Sequence, residues 1–287
     1  MILNDYLRRE FGEKLYKISL SSGCTCPNRD GSLGWDGCIF CLNGSGAFAE
    51  VGDIDIQIEN AKKRVAGKSK SHRYIAYFQS YTNTYGDTSY LTELYTKVIT
   101  RPDIAILSIA TRPDCLDDDK IEMLRHLTKI KPVWVELGLQ TSKEESVEYI
   151  RRGYENQFYS TAVRRLKSIG VNVITHIILC LPGESIEDMK ASVKFAINSG
   201  TDGLKLQLLH ILRGTDIEKD YSQGKFTLPT MEEYGEILRE ILPIIPDNIV
   251  IHRLTGDGDK KSLIAPLWTG DKKKTLNYIS RITNGMD

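Results

Sequence analysis

Along this chain, short and nearly unbroken apolar runs alternate with amphipathic stretches in which polar and apolar positions mix. The first apolar run, Leu15 to Ser22, reads as a strand. From about residue 70 the alternation is regular. Tyr74-Ile-Ala-Tyr-Phe-Gln79 predicts a buried strand, followed by a helix from about Ser89 to Thr100. Ile104 to Thr111 is the next strand and Asp117 to Ile130 the next helix. Val133 to Leu139 follows as a strand. The helix after it is opened by Ser142-x-x-Glu145, a spacing at which hydroxyl and carboxylate each accept from the other residue's main-chain N–H. Val171 to Leu181 is a long apolar strand closed by Pro182-Gly183, with a helix from about Ile186 to Ser199. Gly203 to Leu209 is another strand, Thr230-x-x-Glu233 opens a further helix, and Ile249-Val-Ile-His-Arg253 is a last strand.

Strands that are apolar throughout are buried on both faces. Alternating with amphipathic helices, they imply an α/β fold with a parallel sheet covered by helices. Six strand–helix units plus a final strand suit a partial (β/α)6 barrel better than a closed eight-fold one. The expected division is a core barrel with its N-terminal segment over 1–255 and a small C-terminal extension, 256–287, packed on that core. The stretch from about Gly214 to Leu228 is the least regular, and no repeat or low-complexity tract is seen.

Composition narrows the class without naming a function. With 41% hydrophobic residues over 287 positions the chain is of ordinary globular type. No apolar run approaches the 18 residues of a membrane span, and the N-terminal MILNDYLRREFGEK has no signal-peptide core. A cytoplasmic, reducing location is expected. A formal net charge of zero argues against a nucleic-acid coat protein, but not against a local basic patch. Lys62, Lys63, Arg64, Lys68, Lys70 and Arg73 form one candidate patch and Lys272 to Lys274 another. They read equally well as solvated faces or as RNA contacts.

The most specific chemical signal is Cys26, Cys38 and Cys41, spaced C-x11-C-x2-C just after the first strand. Three thiolates leave a fourth coordination position open. In a [4Fe–4S] cluster this presents one iron without a protein ligand. The competing reading is structural zinc, which needs a fourth ligand. Cys24, Cys115 and Cys180 supply no second CxxC, and the nearest downstream histidine is His72. In parallel α/β barrels chemistry sits at the C-terminal ends of the strands. The polar residues that interrupt or follow the strands are Gln79, Thr111, Arg112, Gln140, His176, Gln207, His210, His252 and Arg253. Singly, each reads as a satisfied turn or core residue; their recurrence at the ends of successive strands points to a site.

Together these motifs resemble the radical S-adenosylmethionine (SAM) superfamily, and within it the branch that includes the catalytic subunit of Elongator and small single-domain bacterial relatives. The resemblance rests on Cys26-Pro-Asn-Arg-Asp-Gly31 with Gly37-Cys-Ile-Phe-Cys41, Tyr77-Phe-Gln-Ser-Tyr-Thr-Asn-Thr-Tyr85, Thr111-Arg-Pro-Asp114, Glu136-Leu-Gly-Leu-Gln140, Arg152-Gly-Tyr154, His176 to Glu184, and Leu206 to Thr215. It implies a partial TIM-like barrel, a [4Fe–4S] cluster on Cys26, Cys38 and Cys41, and SAM as the molecule bound at the open iron. By the same resemblance Phe40 packs near the adenine, Gln79 and Ser80 hold the methionine amino group, and Thr111 and Arg112 contact ribose or carboxylate. Gln140, Arg152 and His176 fall at further SAM-binding positions. The sequence departs from the pattern in three places. Cys24 precedes Cys26 by two residues, Ala110 stands where Elongator-like sequences often carry Glu, and Cys180 replaces a common Gly.

The resemblance further implies reductive cleavage of SAM to a 5′-deoxyadenosyl radical, with a flavodoxin- or ferredoxin-type electron donor. Its small bacterial members are linked to tRNA wobble-uridine maturation, in which a 5-carboxymethylaminomethyl group becomes 5-aminomethyl. The chain leaves no room after the barrel for an acetyltransferase domain, so carboxymethyl addition from acetyl-CoA is not expected. Under the tRNA reading Tyr81, Asn83 and Tyr85 line the opening and receive a flipped base. His210, Arg213, His252 and Arg253 complete the substrate side, the arginines meeting a carboxylate or RNA phosphates. Two alternatives stand beside it: a radical SAM enzyme acting on a small molecule or peptide, and a zinc-bound binding or scaffold protein without redox chemistry.

Overall fold

The computed structural model describes residues 1–42, 49, 51–67, 71–256, 258 and 260–284. Lys68 and Lys70 of the first basic patch lie outside the described residues. In chain order the elements are α1 (Leu3–Phe11), β1 (Tyr16–Leu20), α2 (Ile54–Val65), β2 (Tyr74–Phe78), α3 (Thr88–Ile99), β3 (Ile104–Thr111), α4 (Asp118–Thr128) and β4 (Val133–Gln140). There follow α5 (Glu144–Tyr149), α6 (Asn156–Ser168), β5 (Asn172–Leu179), α7 (Ile186–Ser199), β6 (Gly203–Leu208), β7 (Ile211–Leu212) and α8 (Asp216–Ser222). The chain ends with α9 (Met231–Ile241), β8 (Val250–Arg253), β9 (Leu263–Ala265) and α10 (Lys272–Asn284).

Seven strands form one parallel sheet in the order β1-β2-β3-β4-β5-β6-β8, curled into a half-barrel. Each strand places alternate side chains on opposite faces. One face, with Ala76, Phe78, Leu107, Ile109, Val135, Leu137, Val173, Ile177 and Leu206, packs against the helices in the main core. At the N-terminal end of the other face, Ile75, Ile106, Trp134 and Ile174 form a smaller core with Leu3, Tyr6, Leu7 and Phe11. Helix α1 thus closes the bottom of the half-barrel. The Tyr6 and Trp134 ring centroids are 6.1 Å apart, and Ile2 bridges in parallel to Ile251 beside β8.

Several helix starts follow the sequence chemistry directly. Thr230 and Glu233 form the expected capping box at α9, and Ser185 with Asp188 forms another at α7. The pair Ser142 and Glu145 does not. Ser142 instead bonds to Ser192 on α7, its N–H donating to Ser192 Oγ at 2.8 Å. Helix α5 begins two residues later with no side-chain cap. The expected single helix is split into α5 and α6 by a turn in which Arg151 and Gly153 have φ of 54° and 79°. Strand β5 also ends earlier than its apolar run. Cys180 turns left-handed (φ 65°), and its N–H donates to Met189 Sδ at 3.2 Å. The irregular stretch after Gly214 contains α8. Past β8, β9 pairs antiparallel with β7, and α10 packs on α9 beyond Trp268, whose indole N–H donates to Pro229 O.

Leu7 is 1% exposed at the centre of the α1 plug. Leu7→Ala is expected to lower unfolding free energy by about 3 kcal/mol, the cost of a buried leucine cavity, measured by urea denaturation.

Candidate active site at the mouth of the half-barrel

Because the sheet is parallel, every strand of the half-barrel delivers its C-terminal end to the same rim. The loop after β1 carries the cysteines there, and its main chain is tied into tight turns. Arg29 N–H donates to Cys26 O, Cys41 N–H to Cys38 O, and Gly37 N–H to Asn28 O. Asn28 links the loop to the turn between α5 and α6. Its Nδ2 donates to Arg151 O (2.9 Å) and Arg152 O (3.2 Å) and stands 3.7 Å from Cys38 Sγ. A Cβ at Gly153 would lie 2.8 Å from Asn28 Oδ1, which is why this position takes a glycine. Thr82 N–H to Thr25 O and Ser32 Oγ to Tyr85 OH (2.8 Å) tie the loop after β2 to the same unit.

The thiols sit within electrostatic reach of one another. Burial pushes the Cys38 thiol up to about 12, and neighbouring Cys41 and Cys26 push in the same direction against Arg112. Thiolates crowded this way are stabilised by a cationic metal centre. Among the described residues no three Cys, His, Asp or Glu converge where one metal ion would sit. Three thiols on one loop suit a cluster whose irons each take one.

Around this loop stand most of the predicted SAM residues. Gln79 and Ser80 follow β2, and Tyr81 turns there with φ 60°. Thr111 is buried and bonds to Thr84 Oγ1 at 2.6 Å. Arg112 grips Asp114 through two bonds, 3.0 and 2.7 Å, and donates to Arg152 O at 2.9 Å. Gln140 has φ 61°, and its amide lies over Gly138, where a Cβ would come within 2.4 Å of Nε2. Phe40 packs at the edge of the small apolar cluster containing Ile39, Ile178 and Leu209.

Other predicted residues stand elsewhere. Arg152 is 1% exposed, and its guanidinium donates to Leu139 O, Thr141 O, Tyr154 O and Asn156 Oδ1, so it braces the end of β4 instead of facing a ligand. Asn83 is fully buried; its amide N–H₂ donates to Phe78 O, Ser80 O and Ala110 O and its oxygen accepts from Ser22, leaving no surface for a substrate. His252 lies at the opposite end, edge-on to Trp134 with centroids 5.1 Å apart. His210 bonds to Leu208 O and Thr269 Oγ1, joining β6 to the C-terminal segment. Arg213 and Arg253 are exposed, Arg253 as the register partner of Lys205 on β6.

Between mouth and floor, the concave face carries a charged layer. Glu136 has no exposed side-chain surface. It accepts from Lys17 Nζ (2.6 Å), Ser108 Oγ (2.8 Å), His176 Nε2 (2.7 Å) and Lys205 Nζ. Burial works to raise its pKa, but Lys17 and Lys205 together with the His176 hydrogen bond hold it well below the usual carboxylate range. Burial, reinforced by Lys205, pushes His176 down to about 4, so its ring is neutral at pH 7. His176 thus partners a carboxylate inside the barrel.

Comparison with known proteins settles the family. The sequence profile of the Radical SAM superfamily matches residues 21–196, and that of the Radical_SAM C-terminal domain matches 201–283. The chain belongs to the radical SAM superfamily. It is 39% identical to the uncharacterized protein YtqA of Bacillus subtilis over 97% of this chain and 88% of that one. A tRNA uridine(34) acetyltransferase of Methanocaldococcus jannaschii is 27% identical over 53% of this chain and 28% of its own length. Among solved structures, the archaeal Methanocaldococcus infernus Elp3 superposes with a TM-score of 0.65 at 19% identity, covering 87% of this chain and 58% of that one.

As a radical SAM enzyme the chain uses a [4Fe–4S] cluster and SAM. Asn28 and Glu136 stand inside motifs that carry the resemblance but have no role assigned from sequence, and Lys17 and Lys205 are not among the candidate residues. The signal was present: Lys17, Glu136 and Lys205 are charged residues inside otherwise apolar strands, as His176 is.

Two outcomes test this geometry. Arg152→Met strands buried carbonyls without donors, and we expect it to cost about 3 kcal/mol or more by denaturation, with lower iron retention after reconstitution. His176 is less basic folded than unfolded, so its neutral form contributes stability fully above about pH 6.5. That contribution falls as pH drops through 6.5 towards 4. His176→Gln is expected to flatten the decline in denaturant midpoint over this window.

Proposed function

We propose that this radical SAM enzyme acts on the 5-substituent of a tRNA wobble uridine, taking a hydrogen atom from the carbon between amine and carboxylate of a 5-carboxymethylaminomethyl group; loss of one electron to an oxidised flavodoxin or ferredoxin and of the N–H proton gives an imine, which water cleaves to 5-aminomethyl and glyoxylate. The observation that carries this reading is the kinship of the barrel to a tRNA uridine(34) acetyltransferase and to archaeal Elp3. When bound, cluster and SAM supply a 5′-deoxyadenosyl radical.

The chain's own residues bind, orient and exclude water. Cys26, Cys38 and Cys41 hold the cluster, on a loop that Asn28 fixes to the α5–α6 turn, which Arg152 in turn ties to the β4 end. Gln79, Ser80, Gln140 and Phe40 take the methionine and adenosine parts of SAM. Arg112 and Thr111, already bonded within the protein, position that rim. Tyr81 and Tyr85, partly exposed beside the cysteine loop, receive the flipped base by stacking and hydrogen bonding. Arg213 and the exposed Lys272 to Lys274 meet phosphates. A flavodoxin or ferredoxin supplies the electron, in a reducing cytoplasm.

The test is made on anaerobically reconstituted protein with dithionite, SAM and tRNA from a strain lacking this gene. The expected result is 5′-deoxyadenosine together with loss of 5-carboxymethylaminomethyluridine and gain of 5-aminomethyluridine by nucleoside mass spectrometry. Cys26→Ala, Cys38→Ala and Cys41→Ala should each reduce both products at least about a hundredfold. Unchanged nucleosides, with no salt-dependent retention of tRNA, would reject the tRNA substrate and favour a small molecule.

A further inference from the structure

In the charged layer around Glu136 two lysines share one carboxylate. Lys205 exposes 6% of its side chain and Glu136 none, while Lys17 and His176 keep about a fifth of theirs. The layer is therefore open to solvent and not a sealed core. Among the described residues Glu136 is the one carboxylate that Lys17 and Lys205 contact, and His176 beside it is neutral at pH 7. Burial drives the pKa of Lys205 well below its ordinary value; Lys17 and Arg253 act in the same direction, against Glu136. Tyr77 adds no charge. Its ring lies 4.4 Å from Lys17 Nζ and 4.5 Å from Lys205 Nζ, and its hydroxyl accepts from Lys205 at 3.1 Å. Two lysines thus share a single carboxylate, and a second anion beside them would hold the proton on Lys205.

We propose that Lys17 and Lys205 anchor a carboxylate of the substrate in the charged layer on the concave face of the half-barrel, with Glu136 and Ser108 as positioning residues. With one lysine proton to hold, the pair favours a monoanion over a phosphate monoester, which would bring nearly two negative charges. The placement suits the chemistry. Gln140 lies three register steps beyond Glu136 on the β4–β5 ladder, about 10 Å nearer the mouth. A carboxylate held in the charged layer turns the carbon attached to it towards the rim where the cysteine loop sits. This deepens the proposed function and rests on it for the identity of the substrate, but not for the existence of an anion site.

The test has two arms, on the anaerobically reconstituted protein. In the first, crystals are soaked in sodium bromide and the anomalous signal is located. A bromide between Lys17 Nζ and Lys205 Nζ, lost in Lys17→Met, is expected. In the second, binding of tRNA bearing 5-carboxymethylaminomethyluridine is compared with the same tRNA bearing 5-methylaminomethyluridine, which lacks the carboxylate. The wild type should prefer the first by at least about tenfold. Lys17→Met and Lys205→Met should abolish that preference, and Lys17→Arg should restore part of it. If Lys205→Met fails to fold, as judged by circular dichroism, the solvent-reached Lys17 variants carry the decision. Bromide at the lysines without a tRNA preference would uphold the anion site and reject the tRNA substrate. Conversion of tRNA with no bromide there, and a preference unchanged in Lys17→Met, would overturn the anchor and leave the proposed function standing.

Discussion

A single carboxylate without exposed surface organises the concave face of this sheet. Glu136 on β4 takes hydrogen bonds from Lys17 on β1, Ser108 on β3, His176 on β5 and Lys205 on β6. Parallel strands twist and curl on their own account, but four polar groups from four strands can meet one carboxylate only if the sheet bends around it. Removing any partner leaves charge or hydrogen-bonding capacity unmatched where water is scarce. The apolar plug of α1 below this layer and the cysteine loop above it divide the interior into a floor and a mouth.

The mouth is built by a second, more local constraint. Arg152 is buried and directs its donors to main-chain carbonyls at the end of β4, while its own carbonyl accepts from Arg112 and Asn28. Asn28 in turn stands beside Cys38. The cysteine loop is thus referenced to β3 and β4 through a chain of three side chains. Such a chain suits a site in which a bound cofactor and a substrate carbon must keep a fixed separation.

The sequence made the strands legible because strands buried on both faces are apolar throughout, and β3, β4 and β6 lie almost where those runs predict. It made the cysteine motif legible because the spacing is local. It was silent where the decisive contact is distant in the chain. Nothing near Ser142 announces Ser192, so a capping box was expected and a cross-helix hydroxyl pair formed. Asn83 and Arg152 are polar residues beside strand ends, yet their hydrogen-bond partners are main-chain groups of the scaffold. His252 ends an apolar strand, but that strand is shifted so that the ring meets Trp134 at the floor. The convergence of the charged layer is not legible in the sequence, because each member, His176 included, is alone in its strand and only the curl of the sheet brings them together.

The most direct measurement is electron paramagnetic resonance of the anaerobically reduced, iron-replete protein, with and without SAM. A site with three cysteine ligands on one loop and one iron open to SAM predicts a [4Fe–4S]⁺ signal whose g-values shift when SAM is added. A fully loaded cluster with a spectrum indifferent to SAM would contradict the account, since no iron would then be available to the molecule the mouth is built to hold.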